Sequence, residues 1–398
     1  MKITAVRVFL VNPGERVRYG TGWGKNLVII RVYTDGGING LGEAFATGKA
    51  KTTEAAVGEY ARWLVGKDPR EILRHWYAYY RGSRYPLGTA TMAALSAVEH
   101  ALWDIAGKAC GLPVYRMLGG PFRDRIRLYA SGYLCQRSHF FADGPELSFA
   151  DNLRATVERG FTAMKFTPQP DNYAHLSWSE LLAASVERVR IAREAVGEKV
   201  DILLDYHGRS FSPAEPVQLA REIERYRPLF LEEPALTEAP DSLYEVKMQT
   251  SIPIAGGERC ISRDRLKEIL EKRALHVLQP EPTCNGGILE TIKWAAMAEM
   301  YHVTLAPHQA CGPVSLMVCA HIDACVPKFL IQECNVDFDS PFIRDLFPKR
   351  PKIEAGYLVL SDEPGLGVEF DEAAAEKYPF QPFDRPVIVQ PDGGIGLE

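Results

Sequence analysis

Seven residues with side chains capable of chemistry close short apolar runs in this sequence: Lys165 in AMKF, Asp205 in ILLDYH, Glu232 in LFLEEP, Glu258 in IPIAGGE, Glu281 in HVLQPE, His308 in VTLAPH and Glu333 in FLIQE. From Asp205 onward they stand 27, 26, 23, 27 and 25 residues apart, a steady period of one strand plus one helix. Charged groups in runs this apolar are costly to bury unless something compensates them. Asp205, Glu232 and Glu258 offer three hard oxygen donors with no thiolate or imidazole among them, the donor set of Mg²⁺ rather than of zinc or copper. The plainer alternative is that these carboxylates cap helices or pair with Arg259 and Lys165.

The elements that must position these groups read as a parallel sheet with helical crossovers. After Gly119-Gly120 the sequence alternates β-rich runs with helical patterns, near 150–159, 180–196 and 215–226 among others. Eight runs, beginning with RLYAS, predict a (β/α)₈ barrel of the TIM type, with the eighth helix the least clear. The C-terminal strand ends of such a barrel share one mouth, where active sites of this fold are built. Before the barrel, alternating residues around Ile3–Val8 and the runs flanking Asp35-Gly36-Gly37 predict a small antiparallel meander. Three helical patterns follow: TTEAAVGEYARWLVG, then DPREILRHWYAYYR with Asp68 as cap and Pro69 at its first position, then TATMAALSAVEHALWDIAGKACG with an apolar stripe from Ala94 to Ile105. The expected division is a capping domain over 1–125, a barrel over 126–355 and a C-terminal segment over 356–398 that packs back on the cap.

Composition narrows the function classes. With 398 residues, 46% hydrophobic and 24% charged, the chain has the make-up of an ordinary globular protein and length for one large domain plus a smaller one. A net charge of −5 without a basic block argues against a nucleic-acid or acidic-membrane partner. The N-terminal stretch lacks the apolar core of a signal peptide and no run is long enough to span a membrane, so a cytoplasmic location is expected. The eight cysteines include no CxxC pair and are expected to be reduced, mostly buried thiols.

In order, ALWDIAGKACGLPVYRMLGG, LDYHGR, FLEEP, GGERCISR, QPEPTCNGGI, LAPHQACGPVS, IQEC and PGLGVEF resemble the enolase superfamily, mandelate racemase subgroup, and within it the galactonate dehydratase branch. The resemblance covers nearly the whole chain. It implies Mg²⁺ held by Asp205, Glu232 and Glu258, with Glu233 behind them. Removing a proton α to a carboxylate adds charge to an anion, so catalysis requires preorganised positive charge at the enediolate, which the metal supplies. The resemblance implies His308 as the base, oriented by Glu281, and His207 as the acid that protonates the departing 3-hydroxyl. His207, two residues beyond Asp205, is expected to point the same way if the strand continues that far.

Relatives carry Asp where this chain has Glu281, and the extra methylene is expected to shift the imidazole. Racemases and epimerases of the subgroup share a Lys-x-Lys pair, whereas here Lys165-Phe166-Thr167 lacks the second lysine. Lys165 and Glu333 are therefore expected to hold substrate. Trp23 and Arg84, with the loops from Arg18 to Trp23 and Phe45 to Lys51 and the segment TPQPDNYAHLSWSE, are expected to contact or cover its polyol tail. The remaining histidines, His75, His100, His139, His175, His276, His302 and His321, are expected to be structural or on the surface. The implied reaction is dehydration of an aldonate to its 2-keto-3-deoxy acid by a homo-oligomeric enzyme. The alternatives are a cycloisomerase or epimerase acting on a related acid sugar, or a non-catalytic sugar-acid-binding barrel.

Overall fold

The computed structural model describes residues 1–398 except 15–25, 46–48, 132–146, 211, 336–339, 383–386 and 398. The chain opens with an antiparallel meander, β1 (Ile3–Val11), β2 (Leu27–Thr34) and β3 (Gly40–Ala44), in the order β1-β2-β3. Helices α1 (Ala50–Leu64), α2 (Ile72–Gly82) and α3 (Thr89–Cys110) follow. The apolar stripe of α3, including Ala94, Ala97, Val98, Ala101 and Ile105, packs with Val28, Ile30 and Val32 of β2 in a core of its own. Gly111 ends α3 in the left-handed conformation, at φ 68°, where glycine carries no Cβ penalty. The second helix starts later than the Asp68-Pro69 pattern predicts: its first residue is Ile72 and Glu71 precedes it without a side-chain cap. Asp68 instead accepts from the backbone and guanidinium of Arg70, a local turn that competes with helix initiation.

After the short α4 (Val114–Met117), strands and helices alternate: β4 (Arg125–Ser131), α5 (Phe149–Glu158), β5 (Ala163–Phe166), α6 (Trp178–Val196), β6 (Asp201–Asp205), α7 (Ala214–Ile223), β7 (Phe230–Glu232), α8 (Pro240–Lys247), β8 (Ile254–Gly256), α9 (Arg263–Glu271), β9 (Val277–Leu278), α10 (Ile288–Met300), β10 (Thr304–Leu305), α11 (Pro313–Asp323), β11 (Gln332–Cys334) and α12 (Pro341–Leu346). Neighbouring strands from β4 to β10 pair in parallel, and β11 returns to pair with β4. A bridge between Leu305 and Phe329 closes the remaining gap. The result is the (β/α)₈ barrel, with its eighth helix reduced to the six residues of α12.

One apolar residue per strand segment fills the barrel: Tyr129, Ala163, Leu203, Phe230, Ala255, Val277, Ala306 and Ile331 form one buried cluster. The intervening residues, such as Ile202, Leu204, Leu231 and Ile254, belong to a second core shared with the surrounding helices. Such an inward layer is how barrels of this kind are filled.

β12 (Ile353–Glu354) and β13 (Tyr357–Val359) form an antiparallel hairpin whose second strand pairs with Arg125–Arg127 of β4. The expected boundary after residue 355 thus falls in the turn of this hairpin. The short helix α13 (Glu372–Ala375) touches the cap: Glu372 accepts from Arg31 at 2.6 Å, Tyr33 at 2.5 Å and Arg7 at 3.0 Å, and the Phe370 ring lies 5.3 Å from that of Phe9. Among the described residues, no helix is long and apolar enough to cross a membrane.

Candidate active site

Side chains alternate along a strand, so a residue two places beyond the inward apolar layer also faces the barrel axis, one level nearer the mouth. Counting two from each member of that layer gives Ser131, Lys165, Asp205, Glu232, Gln279, His308 and Glu333. Strand β8 breaks the count. Gly257 takes φ +125°, and a Cβ there would come within 2.8 Å of Leu278, so this glycine redirects the chain and brings in Glu258 one residue out of step.

Lys165 sits at the centre of the acids. It is 3% exposed, with Nζ 2.8 Å from both Glu232 oxygens, 3.2 Å from Asp205 and 3.1 Å from Glu333. Burial disfavours its charge, but Glu232, Glu333 and Asp205 outweigh that and hold it well above the ordinary lysine range. Gln279 donates to Glu232 Oε2 at 2.6 Å. Burial, then Asp205, raises the Glu232 pKa against the pull of Lys165. For Asp205 and Glu333 burial acts in the same sense, yet their cationic neighbours prevail and lower both.

On the other side of the mouth, His308 Nδ1 lies 2.6 Å from Glu281 Oε2 and Nε2 lies 3.1 Å from Glu258 Oε2. Burial works against a charged ring, but Glu258, Glu333 and Glu281 dominate and raise its pKa to about 10. Glu281 is itself held: the Thr283 N–H and hydroxyl both donate to Oε1, at 3.0 and 2.6 Å. The extra methylene therefore does not cost the contact with the imidazole.

His207 reaches the site by a different route from the one alternation predicts. Strand β6 stops at Asp205, and His207 turns at φ 55°, so its N–H donates to Asp205 Oδ1 at 3.0 Å while Nδ1 lies 3.3 Å from the same oxygen. Burial pushes this ring down to about 4, opposed by Asp205. Glu233, at φ 39°, pairs with Arg259 at 3.0 Å and accepts from Thr237.

Among the cap residues, Phe45 stands edge-on to the His308 ring with centroids 6.2 Å apart. Arg84 is exposed on the stretch after α2. Trp23, with the loop from Arg18, lies outside the described residues, as do 46–48 of the second loop and His139. In the segment after β5, Thr167 and Gln169 are buried and Tyr173 donates to the Leu397 carbonyl at 2.6 Å. Several other histidines have structural partners: His75 contacts the Asp68 carbonyl, His100 that of Pro282, His276 accepts from Ile254 N–H and His321 from Tyr115 N–H. His302 lies beside Lys328 at the surface.

Reading the sequence missed Gln279, Ser131 and Thr283. The first two were accessible, since each falls two residues past an inward apolar position. Thr283 was not, because its contact depends on the turn that follows Glu281.

Among the described residues, no three His, Cys, Asp or Glu side chains converge closely enough to hold an ion in this arrangement. Lys165 and His308 lie against the carboxylates instead. The donor set nevertheless fits a hard divalent cation. Asp205 and Glu232 are register partners on adjacent strands, Asp205 and Glu258 both push the Glu232 pKa up, and Lys165 and the His308 ring face five buried or half-buried carboxylates. Mutually repelling oxygen donors with surplus negative charge are what such an ion complements.

The family model described as mandelate racemase / muconate lactonizing enzyme, N-terminal domain, matches residues 3–119, and that described as enolase C-terminal domain-like matches 148–374. The chain belongs to the mandelate racemase/muconate lactonizing enzyme group of the enolase superfamily. Within this group, D-galactonate dehydratase of Ralstonia nicotianae is 40% identical over 378 residues, covering 94% of this chain and 93% of that protein. D-galactonate dehydratase of Variovorax paradoxus is 37% identical over 407 residues, covering 99% of each. An enolase from Agrobacterium radiobacter, solved with sodium and L-malate, shares the fold with a TM-score of 0.88 at 30% identity over 100% of each chain. A mandelate racemase/muconate lactonizing enzyme from Jannaschia sp. does so with a TM-score of 0.84 at 31% identity, over 96% of this chain and 98% of that one.

Proposed function

We propose that this group member is a Mg²⁺-dependent hydro-lyase that dehydrates an acid sugar, D-galactonate or a close aldonate, to its 2-keto-3-deoxy acid. The observation that carries this reading is the buried Glu281–His308 pair facing Glu258, in a chain 37–40% identical to D-galactonate dehydratases over nearly its whole length. In this reading Asp205, Glu232 and Glu258 hold the ion, and a bound ion would offset the charge that develops on the substrate carboxylate.

His308 takes the C2 proton on Nε2, because a carboxylate at Nδ1 fixes the tautomer that leaves Nε2 as the acceptor, and an ion engaging Glu258 would neutralise the carboxylate that most favours the charged ring. His207 delivers a proton to the departing 3-hydroxyl; a bound substrate anion beside it would favour its charged form against the burial that lowers its pKa. Lys165 and Glu333 serve the carboxylate end of the substrate, while Trp23 and Arg84 of the cap serve its polyol tail. Elimination is favoured over epimerisation by Lys165-Phe166-Thr167, which lacks the second lysine that a Lys-x-Lys pair would offer as a base on that face. The cap over 1–125, the barrel and the returning C-terminal segment form the working unit, placed in the cytoplasm and assembled as a homo-oligomer.

The test is a screen of aldonates and aldarates for 2-keto-3-deoxy product, with Mg²⁺ and with a chelator. Turnover of one or a few acids only with Mg²⁺ is expected. Turnover unaffected by chelation, or isomerised sugar acid without loss of water, overturns the reading.

A further inference from the structure

Glu43 is an acid on a strand buried along its whole length, and it is itself 0% exposed. Its strand has no room to slide. A Cβ on Gly42 would come within 1.7 Å of the Ala97 carbonyl oxygen on α3, so β3 lies flush on that helix, and alternation turns the Glu43 side chain to the opposite face. That face meets the barrel. Glu43 Oε1 accepts from Gly312 N–H at 2.6 Å and Oε2 from Ser315 N–H at 2.8 Å. Helix α11 has no side-chain cap of its own, since its N-cap is Gly312; the cap domain satisfies donors of its first turn instead. The carboxylate sits directly against this backbone: a Cβ at 312 would come within 2.7 Å of Glu43 Oε1.

Only Gln309, Ala310 and Cys311 separate Gly312 from His308, and this link is stiff. Gln309 N–H donates to Glu333 at 3.0 Å, and its amide donates to the Cys311 and Gly312 carbonyls at 2.7 and 3.2 Å. The end of β3 also reaches the other half of the pair. Phe45 N–H donates to the Thr283 carbonyl at 3.3 Å, and Thr283 is the residue that clamps Glu281.

We propose that Glu43 is a positioning residue for His308: by anchoring Gly312 and the first turn of α11 to β3, it sets where the imidazole stands relative to the substrate. The proposal rests on the reading of His308 as the base. A displacement of about 1 Å at a reacting group costs on the order of a hundredfold in rate, so a remote anchor of this kind has a kinetic signature that mere docking lacks.

The experiment compares full-length Glu43→Gln, Glu43→Ala, His308→Asn and the docking control Arg31→Met, which loses the contacts to Glu372 and Phe370 of the C-terminal segment and none to α11. With Mg²⁺ and the acid sugar that the wild type dehydrates, D-galactonate first, it reads kcat, KM, the isotope effect of a C2-deuterated substrate and the Tm. For the Glu43 variants kcat should fall about 10- to 100-fold with KM within about threefold and a larger isotope effect. Arg31→Met should lower Tm and leave kcat and the isotope effect unchanged. If Glu43→Ala does not fold, Glu43→Gln, which keeps one carbonyl acceptor, decides. Folded Glu43→Gln with wild-type kcat and isotope effect, while His308→Asn is inactive, overturns the positioning role alone. An active His308→Asn, or no turnover of any acid sugar by the wild type, overturns the base assignment and this proposal with it.

Discussion

His308 Nδ1 stands 2.6 Å from Glu281 Oε2, while both hydrogen bonds from Thr283 go to Oε1 of the same carboxylate. One oxygen is thus committed to the loop and the other to the imidazole. The clamp fixes the torsion that the longer acid adds and holds its other oxygen against the imidazole.

Removing that clamp should therefore be felt in the chemistry. Thr283→Val is expected to lower kcat about tenfold with little change in KM, and Glu281→Gln about a hundredfold or more, since an amide neither fixes the tautomer nor raises the basicity of Nε2. Steady-state kinetics on the purified variants checks both, and equal kcat values for Thr283→Val and wild type would contradict the clamp.

Glu99 gives a pH-dependent prediction. It is buried on α3 and accepts from the Ile288 and Leu289 N–H groups at the start of α10 and from Trp103, at 2.8, 3.0 and 2.8 Å. Burial nonetheless raises its pKa from the ordinary 4.5 to about 7. A raised carboxyl pKa means that the folded state holds the proton more tightly than the unfolded one. Its favourable contribution is complete below about pH 4.5 and lost as pH rises to about 7. The stability of wild type relative to Glu99→Gln should fall by up to about 3 kcal/mol across that window and stay level above it. Denaturant unfolding at a series of pH values measures this, and a difference that does not change with pH would refute it.

Gly42 tests how closely the cap sheet lies on α3. With a Cβ predicted to meet the Ala97 oxygen at 1.7 Å, Gly42→Ala must push β3 off the helix, which should cost about 2 kcal/mol or more. A thermal melt within a degree or two of wild type would show that the contact is looser than described.

Much of this arrangement was legible from residue order. Lys165, Asp205, Glu232, His308 and Glu333 follow inward apolar residues by two, and the strand period spaced them correctly, so their convergence was readable from runs such as ILLD and LFLE. Glu258 was found although it breaks the alternation, because it closes the run IPIAGGE at the strand-plus-helix period. Two things were less accessible. His207 comes beside Asp205 through a left-handed turn and not through strand continuation, and positive φ is too uncommon even for histidine, a type enriched there, for the residue alone to announce the turn. Glu43 was hidden because its partners, Gly312 and Ser315, lie far along the chain, and capping of one domain's helix by another domain's carboxylate is a tertiary fact. The late start of α2 has the opposite cause: Asp68 found a nearer partner in Arg70.

The central claim, that His308 removes the C2 proton and His207 acts only on the leaving group, separates in one measurement: C2 deuterium incorporation into unreacted D-galactonate in D₂O with Mg²⁺, followed by proton NMR for His207→Asn and His308→Asn. Exchange without 2-keto-3-deoxy product is predicted for His207→Asn, and neither exchange nor product for His308→Asn. Exchange by His308→Asn at the rate of His207→Asn would contradict the assignment of the base.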